Sequence, residues 1–151
     1  MNQPFYQPLR DEDLPIYKTK GSTIKIVCGE FHGKRGPAKT HSPMTLLRGE
    51  LAPDQSVTIP LLNDYNTLIY LLDGILEVNG YVAKGKNMII FENNGESIKL
   101  SAVENTRYIV LSGEPINEPI VAQGPFVMNT EEEIAQAYKD TRQGAFGHLE
   151  Y

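Results

Sequence analysis

Three histidines, one cysteine and two short acidic runs are the side chains of this 151-residue chain best equipped for chemistry, and their spacing argues against most of it. A transition-metal centre in a β-barrel wants two imidazoles at i and i+2, because alternate strand residues point the same way, with a carboxylate to balance the charge. His32, His41 and His148 have no histidine partner two or four residues on, so each reads as a surface histidine rather than a ligand. Cys28 closes the alternating run Thr23–Cys28 and reads as a small core residue, not a reactive thiol. Asp11, Glu12 and Asp13 lie on a proline-bearing arm, while Glu131, Glu132 and Glu133 open a helix, where the dipole favours negative charge. Neither run is a carboxylate pair set in a cleft. No nucleophile elbow, phosphate-binding glycine loop or dinucleotide fingerprint is present. The expectation is no catalytic residue and no metal ligand.

Composition narrows the partners. A net charge of −5 disfavours direct binding to nucleic acid, which needs a basic face. The densest basic run, Lys34 with Arg35, sits in a glycine-rich turn. No apolar run approaches the ~20 residues that span a bilayer, and the N-terminus lacks a basic-then-apolar signal pattern. A single cysteine excludes an internal disulfide framework, and the reducing cytoplasm is the expected compartment.

The elements that must position any site are mostly strands. Thr23–Cys28, Met44–Leu51, Ser56–Ile59, Met88–Phe91 and Ser97–Leu100 read as short strands, and Arg107–Leu111 reads as a buried one. Leu68–Leu72 is a continuous apolar run, the pattern of a strand covered on both faces. Ile75–Val78 and Tyr81–Ala83 flank Asn79-Gly80, which predicts a two-residue type I′ hairpin. Many short strands at near-regular spacing argue for a sandwich or barrel, and no repeat period supports a propeller. One helix follows: Thr130 and Glu133 form a capping box, Ile134, Ala137 and Tyr138 make one apolar face, and Gly144 is placed to end it.

Before that helix runs Gly113-Glu-Pro-Ile-Asn-Glu-Pro119, then Gly124-Pro-Phe-Val-Met-Asn-Thr130. Pro115 and Pro119 fix φ and lack an N–H, so the segment reads as an extended strap leading into the helix. These residues resemble the C-terminal signature of the pirin family. Gly29-Glu30 with Gly33-Lys-Arg-Gly-Pro37 and Gln143-Gly-Ala-Phe-Gly147 are similar to other family segments, Leu51-Ala-Pro-Asp-Gln55 looks like a loop before a barrel strand, and Tyr70-Leu-Leu-Asp-Gly74 is similar to a run of many cupins. Met1-Asn-Gln-Pro-Phe-Tyr-Gln7 resembles the linker between the two pirin barrels. The resemblance covers residues 1–147 and corresponds to the second of two barrels. The chain is then either a piece of a longer protein or a lone second half.

What the resemblance implies is an all-β fold, a cupin-type double-stranded β-helix, or jelly-roll barrel, with a C-terminal α-helix. It divides the chain into an arm over residues 1–20, a barrel over 21–128, and a helix with its tail over 129–151. It selects this fold from the sandwiches and barrels that periodicity allows. Pirin iron belongs to the first barrel, so no cofactor is expected here. The segment Leu62–Tyr70, where the first metal motif would fall, has neither His nor Glu. Asn94–Lys99, where the second would fall, has no His. Tyr65, Asn66 and Tyr70 are left as candidate pocket-lining residues. The implied function is a metal-free, non-catalytic barrel that partners an iron-bearing first barrel. Alternatives are a stand-alone small-molecule-binding barrel that homodimerises, or part of a quercetinase-like dioxygenase. For a complete parent the family implies quercetinase-type activity in bacteria and transcriptional co-regulation in animals. No direct nucleic-acid or membrane partner is expected.

Overall fold

The computed structural model describes residues 5–147, which divide into two compact units after Pro115. The boundary falls at Pro115, ahead of the 128/129 division expected from the sequence.

The first unit opens with a 3₁₀ turn, Asp11–Asp13. The strands that follow are β1 (Ile16–Thr19), β2 (Ser22–Cys28), β3 (Glu30–Phe31), β4 (Lys34–Arg35), β5 (Met44–Leu51) and β6 (Ser56–Pro60). After them come β7 (Asn66–Asp73), β8 (Ile75–Val78), β9 (Tyr81–Lys84), β10 (Asn87–Ile90), β11 (Ser97–Ala102) and β12 (Thr106–Gly113). They form a six-stranded sheet in the order β1-β2-β5-β12-β7-β10 and a four-stranded sheet in the order β6-β11-β8-β9. All pairs are antiparallel. The expected all-β cupin-type jelly roll is what the chain adopts. The expected arm over residues 1–20 already contains β1 at its end, paired with β2 from Ile16 to Thr19.

Alternation decides which side chains meet between the sheets. In β2 every second residue from Ser22 to Cys28 is buried, and in β12 the inward set is Thr106, Tyr108, Val110 and Ser112. Ile24, Ile26, Leu47 and Ile69 of the large sheet join Ile59, Leu76, Ile98 and Leu100 of the small one in a single core. Each such aliphatic side chain contributes about 1.5–3 kcal/mol by leaving water. Tyr108 is fully buried, and its ring crosses β5 where Gly49 has no side chain: a Cβ there would sit 2.1 Å from the ring. Cys28 is buried, as its place in the alternation predicts, and burial pushes its thiol pKa up.

Turn chemistry fixes the register. Asn79 (φ 48°) and Gly80 (φ 88°) both occupy the left-handed region, and Val78 pairs with Tyr81 across them, as the Asn-Gly signal predicts. The Asn79 side chain also accepts a hydrogen bond from the Lys99 N–H at 3.0 Å, tying the hairpin to β11.

Where β12 bulges at Arg107/Tyr108, Arg107 Nε donates to Asp73 Oδ2 at 2.8 Å and its backbone N–H donates to Oδ1 at 3.2 Å. The side-chain hydrogen bond first, and the guanidinium charge with it, hold the Asp73 carboxyl below the usual carboxylate range. A depressed folded pKa means the stabilisation is complete above the unfolded value of about 4 and is lost as pH falls through the lower folded value. Asp73→Asn is therefore expected to lower the urea midpoint at neutral pH, the gap to wild type closing as pH falls through the lowered folded pKa. A gap independent of pH would contradict this reading.

The second unit pairs β13 (Val121–Gln123) with β14 (Phe126–Met128) and ends in α1 (Glu131–Arg142). The strap is thus a hairpin in its second half, turning at Gly124-Pro125, rather than extended throughout. Phe126 packs edge-on against Tyr138 of the helix with ring centroids 5.1 Å apart. Asn129 Nδ2 donates to the Pro119 carbonyl at 2.9 Å and to Glu118 at 3.0 Å, which secures the approach to the helix.

Both ends of α1 follow the expected grammar. Thr130 Oγ1 accepts from the Glu133 N–H at 3.2 Å, and the Glu133 carboxylate accepts from the Thr130 N–H at 3.1 Å. At the other end Gly144 (φ 72°) donates to the Thr141 carbonyl and Ala145 to the Asp140 carbonyl, a Schellman closure. Thr130→Ala should cost the helix about 1 kcal/mol, seen as roughly fivefold faster amide exchange over Glu133–Ala137. Unchanged exchange there would refute the cap's contribution.

Candidate functional site

Two features of the first unit are candidates, one inside the barrel and one on its outside. The inner one is a cleft of about 770 Å³ that opens between the ends of the two sheets. Its depth is apolar, formed by Leu47, Val110 and Ile59 from the facing sheets and by Phe31 of the β3–β4 hairpin. Arg35 and Lys39 are exposed residues of its lining, and Tyr65 is a half-buried one. Ser112 lies at the floor, where its hydroxyl shares a 2.9 Å hydrogen bond with Thr67 Oγ1. Both residues are buried.

Of the residues expected to line a pocket, the structure brings only Tyr65 to the cleft. Asn66 and Tyr70 are on the other face of the sheet. In β7 the inward set is Thr67, Ile69 and Leu71, and a period of two sends Asn66, Leu68, Tyr70 and Leu72 outward. Asn66 instead accepts a hydrogen bond from Asn93 Nδ2 at 2.9 Å. The sequence offers Arg35 only as part of a basic run in a glycine-rich turn, and it does not single out Thr67 or Ser112. The signal for Thr67 was the parity of the strand, and the signal for Ser112 was one more alternation beyond Leu111.

The residues present do not fit a transition metal. The buried side chains are aliphatic and aromatic, with the hydroxyls of Ser22, Thr67, Thr106, Tyr108 and Ser112 and the lone thiol of Cys28, and one thiol without a second strong ligand does not make a site for iron, nickel or copper. Among the described residues no group of three His, Cys, Asp or Glu side chains is close enough to hold an ion. His32 stacks on Tyr17, with ring centroids 4.4 Å apart, and meets Phe31 edge-on at 4.5 Å. His41 meets Phe5 edge-on at 5.9 Å. His148 lies outside the described residues. The acidic runs have structural employment as well: Asp11 bridges Lys25 and Arg48, and Glu133 closes the capping box. Among the described residues Tyr108 Oη and Ser22 Oγ are buried with no hydrogen-bond partner, and burial raises the Tyr108 phenol well above its ordinary pKa, so it stays neutral.

The outer candidate is the exposed face of the large sheet. Register places Ile90, Leu68, Leu111 and Leu46 in one transverse row and Met88, Tyr70 and Ile109 in the next. Ile90 is 71% exposed, Met88 58% and Tyr70 37%, on an edge strand and its neighbour. Toward β2 the same face becomes charged, where Lys25 and Arg48 meet Asp11 of the N-terminal turn. One half of the sheet is thus capped by the chain's own arm, and the other half is bare and apolar.

The model of the pirin C-terminal cupin domain matches residues 46–147. The chain belongs to the pirin C-terminal cupin domain family. This pirin domain is 31% identical over 155 residues to a pirin-like protein of Solanum lycopersicum and 29% identical over 152 residues to pirin of Homo sapiens. Each alignment takes in 97% of this chain and 52% of the relative. Among solved structures, a quercetin 2,3-dioxygenase from Acinetobacter baumannii superposes with a TM-score of 0.91 at 36% identity, again over 97% of this chain and 52% of that one. The pirin domain therefore spans about half the length of the relatives it matches. Among its described residues no helix is long and apolar enough to cross a membrane.

Proposed function

We propose that this pirin domain is a metal-free, non-catalytic barrel whose task is to pack against another pirin-type barrel through the outer face of β7, β10 and β12. The bare apolar half of that sheet carries the reading. Leu68–Leu72 has the unbroken hydrophobicity of a strand covered on both sides, yet of its outward residues Tyr70 and Leu72 are exposed and Leu68 is only half-buried. Patches of this kind mark association surfaces on soluble proteins. Relatives about twice as long supply an occupant of the right size, a second barrel in the same chain or in a separate one. Exposed Ile116, Ile120, Val127 and Phe146 in the second unit add apolar surface of the same character.

In such a pair any iron and any dioxygenase chemistry of the kind named for the Acinetobacter baumannii protein would reside in the other barrel. This domain's residues would supply surface rather than ligands. Sedimentation velocity is the test, run on the domain alone and mixed with the remaining half of that Acinetobacter baumannii dioxygenase expressed separately. Complex formation with that half, or self-association by the same face in its absence, is expected. A domain that stays monomeric in both settings at several times typical micromolar interface affinities would overturn the proposal.

A further inference from the structure

We propose that the cleft at the barrel mouth is a binding site for a small carboxylate with an apolar body, held with its charge at the rim and its body on the apolar side chains that line the mouth. This is independent of the docking surface on the outside of the sheet, and neither reading needs the other.

The cleft is graded along its depth. Leu47, Ile59 and Val110 close its floor and expose almost no surface, so the apolar surface open to a ligand is that of Met44, Leu61 and Leu62 above them. Phe31, equally buried, backs the lining on the side of the β3–β4 hairpin. The deep hydroxyls make no demand on a ligand, because Ser112 and Thr67 satisfy one another at 2.9 Å. An apolar group entering here gains its transfer free energy and strands no polar atom.

The rim is different. Arg35 and Lys39 line it, and among the described residues neither forms an ion pair, whereas Lys25, Arg48, Arg10 and Arg107 all do. Glu30 faces Arg35 across the hairpin and is the one carboxylate of the lining, which leaves an excess positive charge at the mouth. Against the chain's overall −5 this local cationic rim is a reversal of sign. A monoanion matches it, while a polyanion would meet Glu30. The cavity volume falls within the range that takes molecules of roughly eight to thirty heavy atoms. Guanidinium and ammonium groups at the edge of an apolar slot orient a carboxylate outward and its hydrocarbon inward.

The test uses phenylacetate, its neutral analogue phenylacetamide, and hexanoate, titrated into the isotopically labelled chain at fixed ionic strength and followed by amide chemical shifts. Saturable shifts are expected from both carboxylates at Gly36, Thr45, Leu61 and Ser112, with phenylacetamide about tenfold weaker. The double variant Arg35→Gln/Lys39→Gln changes only exposed side chains. It should weaken phenylacetate to the level of the amide while leaving the amide's own affinity unchanged. The proposal is overturned by non-saturating shifts scattered over the surface, by no shift from either carboxylate, or by equal binding of acid and amide. Undiminished phenylacetate binding by the double variant would overturn it too.

Discussion

Gly49→Val should be the most damaging single substitution in the barrel, lowering stability by about 3 kcal/mol or more. With a urea dependence of about 2 kcal/mol/M, that is a fall in midpoint of roughly 1.5 M. The cause is one contact. The Tyr108 ring passes over Gly49, so even a single Cβ would lie 2.1 Å from one ring carbon and 2.5 Å from the hydroxyl oxygen. The ring has no free direction in which to retreat, because Tyr108 is fully buried between the sheets. Among the described residues its hydroxyl has no partner to lose, so the penalty is steric rather than a broken hydrogen bond. A smaller residue at 108 makes room, and Tyr108→Leu combined with Gly49→Ala should cost less than the two changes summed, by at least about 1 kcal/mol. Strict additivity would show that the ring does not depend on the missing side chain.

The second large effect is expected on association. Met88 and Ile90 are the most exposed apolar residues of the bare sheet face and lie on its edge strand. Met88→Glu with Ile90→Glu should weaken association through this face about 100-fold or more, since each buries a charge where an apolar anchor sat. Both side chains face outward, so the fold should tolerate the change, and circular dichroism and the urea midpoint should stay near wild type. Loss of association together with loss of fold would speak against a purely surface role. Unaltered association with an intact fold would move the docking surface elsewhere.

That face also shows where the sequence was legible and where it was not. The Asn79-Gly80 hairpin and the Thr130/Glu133 cap could be read directly, because each is a local rule in which residue type and backbone geometry determine one another. The jelly roll itself came from the resemblance, since short alternating strands suit several architectures equally. Tyr65, Asn66 and Tyr70 were grouped by proximity in sequence, but strand parity separates them: Tyr65 reaches the cleft, while Asn66 and Tyr70 turn to the other face. The run Leu68–Leu72 hides that parity by being apolar on both sides. Its hydrophobicity suits two covers, one of which lies outside the first unit. The β13–β14 hairpin was hidden for the opposite reason. Pro115, Pro119 and Gly124-Pro125 read as breaks, yet the last of these is the turn itself, and a hairpin of two three-residue strands leaves little alternation to detect. Arg35 is not legible as a site residue, because a basic residue in a glycine-rich turn is ordinarily solvated surface, and only the closeness of that hairpin to the barrel mouth gives it a role.

A barrel interior of aliphatic and aromatic side chains, hydroxyls and one thiol is the premise on which the non-catalytic reading stands, and metal content tests it most directly. The chain should be produced in medium supplemented with iron, nickel and copper, purified without chelators, and measured by inductively coupled plasma mass spectrometry. The account predicts well under about 0.1 equivalent of any transition metal, and no change in the urea midpoint when ferrous ion is added. One equivalent of a metal that survives dialysis and raises the midpoint would contradict it.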